Sequence, residues 1–122
     1  MKSSFRTLYI GIIGIVGAIL SLGGLISPKT GFGEDNLSVV ILSNLRAFTA
    51  AELMMALFAL YSLSRKQYQD MALTFFLLTL VGWTIGQVSS YIVDGAPNTI
   101  TVVSIVIQAA LIPVTWMALK KK

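Results

Sequence analysis

The chain is 122 residues long, 56% hydrophobic and 11% charged, with a net charge of +4 and neither cysteine nor histidine. Soluble domains carry about a quarter charged residues, and no stretch between the apolar runs is long enough to bury a core, so a soluble catalytic domain within this chain is excluded. Disulfides, thiol nucleophiles and thiolate metal sites go with the missing cysteine, and the commonest general base and metal ligand go with the missing histidine.

Four apolar runs follow one another, at about residues 7–26, 37–63, 71–93 and 99–119. Each meets the roughly 20 residues needed to cross a hydrocarbon core of about 30 Å. The first is preceded by Lys2 and Arg6. A basic start and the small residues Ser21 and Gly23 loosely fit a cleaved signal, but the run exceeds the roughly 7–15 apolar residues of such a segment. A retained helix is expected. Within it Gly11, Gly14, Ala18 and Ser21 share one face by their three-four-three spacing. Such a stripe suits close helix packing, either inside the bundle or in a homodimer.

A turn region follows at residues 27–36, with the breakers Pro28, Gly31 and Gly33. The second run carries Asn44, Arg46, Thr49 and Glu52. Charges at mid-bilayer are expensive, so they are rarely there without a partner or a task. After a short polar link around Arg65 and Lys66, the third run carries Gly82, Gly86 and Ser90 at small-xxx-small spacing, a second stripe that packs within the bundle or forms a homodimer interface, together with Trp83 and Gln87. Residues 94–98, beginning Asp94-Gly95, form a compact turn. The fourth run contains Gln108 and Pro113.

Short connections make neighbouring runs antiparallel. The expected fold is an all-α, four-transmembrane-helix, up-down-up-down bundle forming one domain over 1–122. With an even number of spans, Lys2, Arg6, Arg65, Lys66 and the terminal Lys120, Lys121 and Lys122 all fall on one side, and the other side has Lys29 against Glu34, Asp35 and Asp94. The positive-inside rule then places both termini in the cytoplasm, and the Lys tail reads as a topology anchor with no role in nucleic-acid binding.

At about 1.5 Å of rise per residue, Arg46 lies roughly 12–14 Å below the outer face, Gln87 roughly 8–9 Å and Gln108 roughly 13–14 Å. These three can share a layer, with Asn44 above and Thr49 below. They read as one inward-facing polar cluster, which is a structural hydrogen-bond network, a pocket for a small molecule or headgroup, or part of a conduction path. Asp94 is a candidate counter-ion for Arg46. Glu52 lies six residues on, about 120° around the helix, so it does not pair with Arg46 directly. A carboxyl without a partner in apolar surroundings favours its neutral form. Glu52 is therefore expected to keep its proton, and the Ala109 carbonyl freed by Pro113 is a candidate acceptor for it. Trp83 could wall a pocket, although packing in the core or against lipid accounts for it as well. The five methionines read as core filling, and no metal or cofactor site is expected.

The segment Asn44-Leu45-Arg46-Ala47-Phe48-Thr49-Ala50-Ala51-Glu52 resembles the second-helix signature of a domain-of-unknown-function family of small four-helix bacterial membrane proteins, similar in layout to DoxX-like proteins. The segment from Gly86-Gln87 through Asp94-Gly95-Ala96-Pro97 resembles a second signature of that family, with Gln87 standing where an Arg is frequent. The resemblance implies a location in the bacterial cytoplasmic membrane and a fold. It implies no reaction.

The first functional expectation is binding of an amphipathic or membrane-soluble small molecule, such as a lipid or a quinone-like compound, at Arg46, Glu52, Gln87, Gln108, Asn44, Thr49 and Asp94. The alternative is a non-catalytic accessory or assembly subunit of a larger membrane complex, or a homo-oligomer. A small proton-coupled transporter is third. An enzyme is not expected, because no nucleophile–base pair or metal set can be assembled.

Overall fold

The computed structural model describes residues 2–27, 39–96 and 98–121. Among them lie four α-helices, α1 (Lys2–Ile26), α2 (Val39–Ser62), α3 (Gln69–Asp94) and α4 (Thr99–Lys120), with a single 3-10 turn at Lys66–Tyr68 and no strand. All four helices are long and apolar enough to cross a membrane. The chain is an all-helical, multi-pass membrane protein. The breakers Pro28, Gly31 and Gly33, the charges Lys29, Glu34 and Asp35, the start of the second run at Leu37, Pro97 and Lys122 lie outside the described residues.

Three of the helices overrun their apolar runs at the end that holds the termini, while α2 stops at Ser62. α1 begins at Lys2 and so includes a turn ahead of the apolar run, where Phe5 stacks on Tyr9 with ring centroids 6.1 Å apart. α3 begins at Gln69, with Asp70 in its first turn. A carboxylate there faces the unsatisfied N–H groups and the positive end of the helix dipole. The same carboxylate pairs with the buried guanidinium of Arg6, tying α1 to α3.

α1 packs along α2, α3 along α4, and the two pairs meet over a smaller surface. The α1–α2 seam is close because glycine makes it so. A Cβ on Gly14 would come within 2.7 Å of Leu60, one on Gly17 within 3.3 Å of Ala56, and one on Gly24 within 2.9 Å of Thr49. Ser21 is buried on the same line. The closest approach thus runs through Gly14, Gly17, Ser21 and Gly24, a line that keeps Gly14 and Ser21 of the expected stripe and adds Gly17 and Gly24. A Cβ on Gly11 would make only an ordinary 3.8 Å contact with Leu63. Gly14 and Ser21 belong to both stripes, so spacing alone could not choose between them.

The core sits at the termini end. Tyr9, Ile10, Ala59, Ala72, Leu73 and Ala118 form it, drawing on all four helices. Thr115 gives its hydroxyl proton to the Leu111 carbonyl at 2.8 Å, so the Tyr9 hydroxyl donates to Thr115 Oγ1 at 2.6 Å. The link from α2 to α3 is held from inside. Ser62 is fully buried, its hydroxyl donates to Ala59 O at 2.6 Å, and Gln69 Nε2 donates to Ser62 O at 3.4 Å. Toward the other end the pairs part, and a cleft opens between α2 and α3.

Candidate functional site: a cleft between α2 and α3

The turn after α3 sets the mouth of this cleft. Gly95 has φ +108°, a conformation that side-chain-bearing residues rarely adopt. It breaks α3, and Asn98 then caps α4 by accepting from Thr101 N at 2.9 Å. From this turn the cleft runs down α3 to Thr79, a distance of roughly 22 Å at the helical rise. Its volume is about 980 Å³, at the upper end of the range for small-molecule sites.

Leu45, Phe48, Glu52 and Met55 of α2 form one wall. Gly82, Trp83, Gly86 and Gln87 of α3 form the other, with Tyr91 and Asp94 near the mouth. Phe48 meets Trp83 edge to face, with centroids 4.7 Å apart. The flank is open: Phe48 is 49% and Tyr91 53% exposed. A Cβ added to Gly82 or Gly86 would meet nothing within 4 Å, so their side of α3 is space and not a packed seam. The reading of Gly82, Gly86 and Ser90 as a stripe packed within the bundle is corrected accordingly.

Two buried polar atoms in the α3 wall have no hydrogen-bond partner, Trp83 Nε1 and Gln87 Oε1. One is a donor and the other an acceptor, a single helical turn apart. Deeper in, Glu52 makes no hydrogen bond or ion pair among the described residues. Thr79, beside it, gives its hydroxyl to Phe75 O at 2.8 Å and lies 3.7 Å from Met55 Sδ.

The seven residues singled out in the sequence do not form one cluster. Glu52, Gln87 and Asp94 line the cleft, whereas Arg46, Asn44, Thr49 and Gln108 do not. Arg46 turns to α1, where its Nε donates to Leu25 O at 3.1 Å. The terminal carbonyls of α1 lack helical partners, and a cation at that negative end is well placed. Thr49 is buried in the α1–α2 seam and donates to the carbonyls of Leu45 and Arg46, at 3.0 and 3.1 Å. Gln108 sits between α3 and α4. It donates to Ser104 Oγ at 3.0 Å, and its Oε1 lies 3.4 Å from the hydroxyl of Thr84, whose proton goes to Leu80 O at 2.7 Å. Asn44 is exposed. Asp94 accepts from Ser90 Oγ at 2.7 Å and makes no ion pair with Arg46. Glu52 makes no bond to Ala109, and the exposed Pro113 lies outside the cleft.

Shared depth had suggested one layer, but azimuth separates it. Arg46 and Glu52 leave α2 toward different neighbours. Sequence reasoning missed Leu25 O as the partner of Arg46, although the carbonyls that end a helix, with an intramembrane cation in the next span, were a usable signal. It also gave Trp83 less weight than its position in the wall supports.

Residues 5–119 match the family described as Domain of unknown function (DUF4345). The chain belongs to this family. The DUF4345 match takes in parts of all four helices, and so both walls of the cleft. No curated protein and no solved structure matches the chain.

Proposed function

We propose that the α2–α3 cleft binds an amphipathic or membrane-soluble small molecule, of a lipid or quinone-like kind, and that the protein does so without catalysing a reaction. The observation that carries this reading is the pair of buried, partnerless polar atoms, Trp83 Nε1 and Gln87 Oε1, in the wall of an open apolar cleft. A buried polar atom without a partner costs about 1–3 kcal/mol. A ligand that displaces the side chains covering them and supplies one acceptor and one donor would remove that penalty at both atoms. The open flank would let it arrive sideways from the lipid.

In this reading the protein resides in the bacterial cytoplasmic membrane. Arg6, Arg65, Lys66, Lys120 and Lys121 gather at the termini end, which the positive-inside rule assigns to the cytoplasm. The cleft mouth then faces outward.

Native mass spectrometry of the purified full chain tests the proposal. The wild-type protein retains a small molecule, Gly86→Leu fills the cleft and loses it, and Arg46→Ala keeps it. A clean apoprotein that acquires no added quinone or lipid would overturn the reading. The bare Gly82–Gly86 side of α3 favours one alternative, an accessory subunit that seats a partner helix there. That reading gives a co-purifying membrane protein whose attachment Gly86→Leu abolishes.

A further inference from the structure

Every ionisable group in the cleft other than the Tyr91 phenol is a carboxyl. Glu52 lies deep and Asp94 at the mouth, and among the described residues no Lys or Arg lines the cavity. The nearest cation along α2, Arg46, is engaged with Leu25 O in the α1 direction. Gln108 does not line the cleft, and its amide donates to Ser104 within α4. The apolar walls include three aromatic rings, Phe48, Trp83 and Tyr91. Ring faces attract cations, most strongly where water is excluded. Gln87 adds an unused acceptor oxygen between the two carboxyls.

We infer that the cleft is selective for a hydrophobic organic cation, whose charge is received first at Asp94 and finally at Glu52. The inference rests on the small-molecule reading above and narrows it to one charge class. A lipophilic cation suits both halves of the site. Its apolar groups fill the aromatic walls, and its charge supplies the counter-ion that lets Glu52, expected to keep its proton while unpartnered, release that proton to water within the low-dielectric cleft. An anionic headgroup meets the opposite situation, two carboxyls and no guanidinium.

Tetraphenylphosphonium and tetraphenylborate, equal in shape and opposite in charge, separate the possibilities. Binding is read by quenching of Trp83 in the full chain reconstituted in neutral-lipid nanodiscs, with Trp116→Phe as the background. The phosphonium is expected to bind at least about tenfold more tightly than the borate, the scale of one charge-assisted contact. Glu52→Gln should erase that preference, Asp94→Asn should weaken it, and Glu52→Asp should keep it. Gly86→Leu should abolish binding of both ions. Equal affinity for the two ions, or an unchanged preference in Glu52→Gln, overturns the cation assignment. If Gly86→Leu still lowers affinity in that case, the cleft remains a small-molecule site of another kind. Binding of neither ion overturns the cation assignment, and the native mass spectrum then decides whether the broader reading falls with it.

Discussion

A guanidinium inside a membrane span needs a place for its charge. Arg46 gives it to the end of α1, donating to Leu25 O. Hydrogen bonds to charged groups contribute about 1.5–3 kcal/mol. Arg46→Ala is therefore expected to lower the stability of the purified protein by an amount of that order, seen as a lower thermal midpoint, while leaving ligand retention in the cleft intact. Loss of ligand without loss of stability would contradict this division of labour. At the other end of the molecule, the Tyr9 hydroxyl and Thr115 bond in full burial. Thr115→Val leaves the Tyr9 hydroxyl buried without its acceptor and should cost about 1–3 kcal/mol in a denaturation experiment. Tyr9→Phe on that background should recover part of the loss.

At the scale of helices, the glycines of α1 and α3 serve opposite ends. Gly24 admits the Thr49 methyl, which cannot swing aside because its hydroxyl is held by the carbonyls of Leu45 and Arg46. Gly24→Ala is expected to destabilise by about 1–3 kcal/mol through overpacking. Thr49→Ser removes the offending methyl and keeps the hydroxyl, so the pair Gly24→Ala/Thr49→Ser should be more stable than Gly24→Ala alone. Gly82→Ala is the contrast. Nothing lies within 4 Å of its Cβ position, and alanine in a helix interior is worth about 0.5–1 kcal/mol over glycine. That variant should hold or raise the thermal midpoint. A fall comparable to that of Gly24→Ala would show that something in the membrane already packs against Gly82.

At the scale of the molecule, four helices and their antiparallel order were legible from hydropathy and loop length alone, because lipid leaves few ways to satisfy a backbone. The site was legible only in part. Depth along each helix follows from residue number, and it placed Gln87 near the mouth and Glu52 below it. Rotation about each axis depends on which neighbour packs where. The α2 positions carry apolar residues on nearly every side, so nothing in the pattern said that Arg46 faces α1 and Glu52 faces α3. For the same reason the Gly82–Gly86 face read as a seam when it borders empty space.

The α2–α3 link, pinned at both ends by the buried Ser62 and Gln69, has a mechanical consequence. Ser62 and Gln69 lock that joint from within, and the Arg6–Asp70 pair clamps α1 across it. The molecule then behaves like a clothes-peg whose spring is fixed and whose jaws are free. Spin labels placed across the jaws, at positions 44 and 93, should change their separation when the cleft is filled. Labels across the spring, at positions 64 and 120, should not.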